Sequence, residues 1–162
     1  MISVARRTAS VLALVSAMAV TMNACTPQQN AAIINATMTK YGVNFLNTVT
    51  MIGIAACESA LTDRAENATS HAKGLFQFMP GTWASVRQTH FGGVAADPFS
   101  PFDNAATAAA LLNDPHYGFS PWNGDHYLEW IRGHQSSIPC YCKKAMTDAG
   151  YGAYTPATCT GG

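Results

Sequence analysis

The amino-acid sequence predicts an all-α fold with long loops, built as a single domain within a chain of 162 residues. Two stretches carry that prediction: residues 45–61, and the alanine-rich run that opens at Pro101 or Asp103 and ends at Leu112. Both hold helix-favouring residues over several turns. The third observation is the lack of any apolar–polar alternation of the kind a half-buried strand requires, together with the lack of internal repeats. Hydrophobic residues make up 48% of the chain and charged residues 11%, so it can build a core. Formal net charge is zero and Lys and Arg gather nowhere, which removes the electrostatic footprint of a nucleic-acid partner.

The N-terminus differs in kind from the rest. Arg6 and Arg7 precede an apolar run over residues 11–20, and small or polar residues then lead to Ala24 and Cys25. That order is a secretory signal over residues 1–24, with an apolar run too short to span a bilayer. The protein is therefore expected outside the cytoplasm, in the periplasm or outer cell envelope. Met22-Asn23-Ala24-Cys25 resembles the lipobox of bacterial lipoproteins, although Met22 stands where Leu is preferred and Asn23 where a smaller residue is. Two outcomes stay open: an acylated Cys25 that anchors the chain to a membrane surface, or secretion with Cys25 free or paired. Loss of the leader leaves seven basic against nine acidic residues, a net charge of −2.

Besides Cys25, four cysteines remain: Cys57, Cys140, Cys142 and Cys159. In an oxidising compartment they predict one or two disulfides. Cys140 and Cys142 are too close to pair with each other, so at least one bridge is expected from them to Cys57 or Cys159. A Cys-x-Cys pair with distant partners is a poor zinc set.

Along the exported part, residues 26–30 are polar and read as a short tether, and residues 31–40 as a first helix. Tyr41-Gly42-Val43 breaks the chain before the segment 45–61, which is apolar on every face through Leu46, Val49, Met51, Ile52, Ile54, Ala55 and Ala56. Such a helix is central and buried. Asn44, Asn47, Thr48 and Thr50 speak against a membrane span. Between Lys40 and Asp63 only Glu58 is charged. A carboxyl near the end of a buried helix is desolvated, its pKa rises, and it becomes a candidate for acid–base chemistry. The competing reading is a hydrated helix end with no role.

A polar loop follows over residues 62–73, then the run from Gly74 to Pro80, and a helix begins at Gly81-Thr82-Trp83. Residues 97–102 form a turn-rich loop ahead of the alanine-rich helix. The next loop holds Pro115, Gly118, Pro121 and Gly124 and carries Tyr117, Phe119 and Trp122. Residues 125–133 read as the last helix, and the chain beyond Gln135 lacks periodicity. The expected organisation is a leader over 1–24, a tether and first helix over 25–40, the main domain over 41–135, and a cysteine-containing extension over 136–162.

The segment from Tyr41 to Trp83 resembles the lytic transglycosylases with a lysozyme-like fold. The likeness is carried by Tyr41-Gly42-Val43, by Ile54-Ala55-Ala56-Cys57-Glu58-Ser59, and by Ser70-His71-Ala72-Lys73-Gly74-Leu75-Phe76-Gln77-Phe78-Met79-Pro80-Gly81-Thr82-Trp83. It continues more loosely through Asp97-Pro98 and Asp103-Asn104-Ala105-Ala106, covering about residues 43–130. Glu-Ser alone says nothing; followed at this distance by Gly-Leu-Phe-Gln-Phe-Met-Pro, it is specific.

The resemblance implies an enzyme that cuts the β-1,4 bond between N-acetylmuramic acid and N-acetylglucosamine in peptidoglycan glycan strands, leaves a 1,6-anhydro end, and needs no cofactor or metal. Glu58 would be the general acid and then the base. Ser59 follows it, Ser70 corresponds to a loop Ser that touches the carboxylate (with Thr69 competing), and Gln77 to a Gln whose amide lies in the substrate cleft. Phe76, Phe78 and Met79 would line the sugar groove or the core. Tyr117 and Trp122 would stack on pyranose faces. The family's Ala-Tyr-Asn-Ala-Gly motif is missing, with Trp122-Asn123-Gly124 as a substitute. Asp63 and Glu66 are the nearby candidates for a second carboxylate, which would make the enzyme a hydrolytic muramidase. A non-catalytic cell-wall-binding lipoprotein is the other alternative. The five histidines show no i, i+4 pairing beside a Glu and read as surface or loop residues.

Overall fold

The computed structural model describes residues 24–161, so the predicted leader, Ala24 apart, lies outside the described residues. Six α-helices make up half of that part. The first, α1 (Pro27–Lys40), starts earlier than its composition suggests. Thr26 caps it: its hydroxyl accepts from the Gln29 N–H, the Gln29 side chain accepts from the Thr26 N–H, and Pro27 takes the first helical position. The polar residues read as a tether are thus a capping box and first turn.

Helix α2 (Phe45–Ser59) is the centre of the molecule, contacted by α1, α5 (His126–Ile131) and α6 (Cys140–Asp148). Every residue from Thr48 to Cys57 is buried, as the all-round apolar pattern predicts. At its N-terminal end Phe45 and Leu46 are exposed instead, because α2 enters the core only after its first turn. Asn44 caps that end, its side-chain oxygen accepting from the Asn47 N–H. The helix stops at Ala60, whose φ of 53° is left-handed; Leu61 follows at 55° and turns its side chain fully into the core. Asn30 of α1 fixes this exit, donating through Nδ2 to the Leu61 carbonyl at 2.9 Å. Gly53 lets α5 close onto α2: a Cβ there would lie 2.3 Å from ring atoms of Tyr127.

Helix α3 (Pro80–Phe91) packs on α4 (Pro101–Asn113), which in turn packs on α1. Pro101, not Asp103, opens α4, with Ser100 as its cap. The segment 125–133 forms the shorter α5, with Asp125 outside as N-cap, and it is not the last helix. Helix α6 follows in the stretch that showed no periodicity, burying Cys142, Ala145 and Met146. A two-residue parallel pairing, β1 (Ile138–Pro139) with β2 (Cys159–Thr160), closes the C-terminal segment. Two disulfides tie it down. Cys140 pairs with Cys159 and Cys142 with Cys57, their Cα atoms 4.9 and 4.6 Å apart. Cys25 carries no disulfide among the described residues.

Candidate active site

Glu58 sits in the last turn of α2, where the helix leaves the core, and it lines a cavity of about 620 Å³. Its carboxyl is held well above the ordinary carboxyl range, at about 7. Burial is the larger cause, because a charge here loses its water; the negative charge of Asp125 adds to it. No hydrogen bond from a described residue compensates the ionised form.

The run after Gly74 supplies part of the cavity wall. This glycine has φ +76°, and a Cβ on it would meet the Pro98 carbonyl oxygen at 2.2 Å. Asn104 of α4 latches the run: its Oδ1 accepts from the Phe76 N–H at 2.9 Å, and its Nδ2 donates to the carbonyls of Pro98 and Lys73. Gln77 takes a left-handed φ of 47° and lines the cavity. Its Nε2 donates to the Gly74 carbonyl at 2.8 Å and to that of Ala65 at 3.2 Å. Those bonds use the amide's donors on the loop and leave Oε1 as the free end.

Phe76 and Phe78 are core residues that also line the cavity, while Met79 is exposed at its rim. The glycine- and proline-rich loop does not keep Trp122 in water. Trp122 is only 4% exposed, with its ring edge-on to Phe76 at 5.7 Å and Phe78 at 6.1 Å, and its Nε1 donates to the Phe76 carbonyl at 3.4 Å. A 3-10 turn over Ser120–Trp122 delivers it, so one indole builds both core and cavity wall. Tyr117 is the ring left open, 50% exposed at the cavity edge. Thr82 and Ser85 of α3 and Ser120 add hydroxyls to the lining.

Two predicted residues are not brought into this cavity. The Ser59 hydroxyl lies 2.9 Å from the carbonyl oxygens of both Ala55 and Leu75, and so pins the end of α2 to the Gly74 run. Ser70 belongs to a tight turn: its backbone N–H donates to Asn67 Oδ1, and its hydroxyl accepts from the Ala72 N–H. Neither candidate for a second carboxylate lines the cavity. Glu66 faces His71 and Lys73 at 3.5 and 3.7 Å. Asp63 is 5% exposed with its Oδ1 unpartnered.

The carboxylate that does act on Glu58 is Asp125, whose neighbours in sequence gave no sign of it. Asp125 Oδ1 accepts from the N–H groups of Tyr127 and Leu128 at 2.8 and 3.1 Å, and burial still raises its pKa to about 6. Tyr141 of α6 joins them. Its hydroxyl donates to the Cys57 carbonyl at 3.0 Å, and its own pKa is raised by burial and by the charges of Asp125 and Glu58. Among the described residues no three His, Cys, Asp or Glu side chains gather as a metal site requires.

A family model described as the transglycosylase SLT domain matches residues 32–128. No curated protein and no solved structure matches the chain. The matched part runs from the first turns of α1 to Leu128 and includes Glu58, the Gly74 run and the Trp122 loop. Because it spans well over half of the 162 residues, the chain belongs to the transglycosylase SLT domain family of peptidoglycan-acting enzymes, and its helices form that family's lysozyme-like fold.

Proposed function

We propose that the protein cleaves the β-1,4 bond between N-acetylmuramic acid and N-acetylglucosamine in peptidoglycan strands, with Glu58 as general acid and then base. The observation that carries this reading is Glu58, the one carboxyl among the residues lining a cavity of about 620 Å³, with its pKa raised to about 7. At neutral pH a large share of Glu58 is protonated and can deliver its proton to the leaving oxygen as the C1–O bond breaks. The carboxylate so formed takes the proton of the sugar's own 6-hydroxyl, whose oxygen closes on C1 as a 1,6-anhydro ring. Proton and electron pairs balance without water. The free Oε1 of Gln77 supplies an acceptor for a sugar hydroxyl or amide N–H, and Tyr117 a face for stacking.

A hydrolytic muramidase would need a second carboxylate to work on water. Asp63 is buried, Glu66 lies outside the cavity, and Asp125 is committed to capping α5, so the lytic route is the better supported one. Digestion of purified sacculi tests both parts. Wild-type protein releases fragments lighter by one water than their hydrolytic counterparts, and Glu58→Gln loses on the order of a hundredfold or more in rate while still binding sacculi. Fragments with reducing muramic ends would assign the muramidase reaction. Equal rates in the mutant would remove Glu58 from the mechanism, and no release of fragments by the wild type would leave a non-catalytic wall-binding role.

The same reading puts the protein outside the cytoplasm. Two disulfides in a small domain favour an oxidising compartment, and the leader over residues 1–24 supplies the route. An acyl chain on Cys25 would hold the domain directly against a membrane, since α1 begins only two residues later. The catalytic unit then spans residues 41–135, and 136–162 form an extension stitched to the acid-bearing helix through Cys57–Cys142.

A further inference from the structure

A second cavity, of about 360 Å³, lies between α1, α3 and α4 and shares no lining residue with the first. Helix α3 separates the two. Its residues Thr82, Ser85 and Val86 face the Glu58 cavity, and Arg87 and Phe91 face the other. Arg87 is only 8% exposed, yet no acidic group pairs with it among the described residues. Its contacts are the Val94 carbonyl, 3.4 Å from Nη2, and two aromatic faces, Phe91 at 4.0 Å and Trp83 at 5.8 Å. Nε is buried without a partner. Nη1 donates to no described residue, and Arg87 lines the cavity.

A buried charge without a counter-ion is costly. Around this one stand Lys40, which makes no ion pair among the described residues, and the rings of Tyr41, Phe91 and Phe102, the last exposed at the rim. Asp103 also lines the cavity, but its Oδ2 accepts from the Asp97 N–H at 3.3 Å and it forms no ion pair with Arg87 or Lys40. Two cations against one carboxylate, together with three rings, suit an anion that carries an apolar group.

We propose that this cavity is a second binding site, for a small ligand ending in a carboxylate, with Arg87 holding the charge and the rings of Tyr41, Phe91 and Phe102 covering the apolar part. The proposal is independent of the chemistry at Glu58. Benzoate is the probe and benzamide its uncharged counterpart, each titrated into the ¹⁵N-labelled mature chain while the Arg87 Nε–H and backbone amide signals are followed. Benzoate gives saturable shifts at Arg87, Phe91 and Lys40 with a Kd on the order of 1 mM. It leaves Gln77 unmoved, and benzamide binds at least tenfold more weakly. Arg87→Met, which keeps the stem over the rings, loses at least tenfold in benzoate affinity; Lys40→Gln, at an exposed position, loses less. Shifts that never saturate, equal binding of benzamide, or inorganic phosphate bound as tightly as benzoate would each overturn the assignment. The wild-type titration decides even where Arg87→Met does not fold.

Discussion

At Glu58 two environmental effects push the same way: burial withholds water from the charged form, and the carboxylate of Asp125 repels it. With Glu58 as the proposed general acid, its acid form donates to the leaving oxygen, and the rate on sacculi is expected to fall as pH rises through about 7. Asp125→Asn removes the smaller effect and keeps an oxygen to cap α5, since Asn caps as well as Asp. Its alkaline limb moves to lower pH but stays above 4.5, the ordinary value, because burial remains. An unchanged limb in that variant would remove Asp125 from the account. The same shift costs stability. The folded chain binds the Glu58 proton more tightly than the unfolded chain, so between about 4.5 and about 7 this group lowers stability as pH rises. Glu58→Gln is therefore more resistant to urea than wild type at pH 8, with the gap narrowing at pH 5. Glu58 was legible in the sequence because it is the lone charge in an apolar segment, and Gln77 because it stands in a specific run. Asp125 and Tyr141 were not, since only the packing of α5 and α6 on α2 brings them near the acid.

Among the elements, α2 depends on close approach. Alanine in place of a mid-helix glycine ordinarily adds about 0.5–1 kcal/mol. At Gly53 the new Cβ would overlap the Tyr127 ring, so Gly53→Ala instead destabilises by about 1–3 kcal/mol, read as a lower urea midpoint. A stabilised variant would mean that α5 is not seated on α2 as described. Helices α2 and α4 were readable from composition, because their buried faces run over several turns. Helix α6 was not: Cys140, Tyr141 and Cys142 favour helix weakly, and its buried face of Cys142, Ala145 and Met146 is too short to reveal a period. The start of α1 was missed for the opposite reason, because capping residues look like loop until the helix behind them is seen.

For the molecule as a whole, the C-terminal segment lies beyond the family match yet is bound to the residue next to the acid by Cys57–Cys142. By chain entropy, closing loops with sequence separations of 85 and 19 stabilises by about 5 and about 3 kcal/mol respectively. Reduction by dithiothreitol lowers the melting temperature, and Cys142→Ser lowers it more than Cys159→Ser; equal and negligible losses would contradict a stapled extension. The sequence narrowed the bridges to those linking Cys140 or Cys142 with Cys57 or Cys159, but the pairing itself is set by how α6 packs on α2. The chemistry proposed at Glu58 depends on a fold that keeps its carboxyl protonated near neutrality. Carbon-13 NMR titration of that carboxyl, assigned through Glu58→Gln, measures it directly. A midpoint near 7 that moves down in Asp125→Asn is expected, whereas a midpoint near 4.5, as in an exposed glutamate, would mean that the fold does not hold the proton.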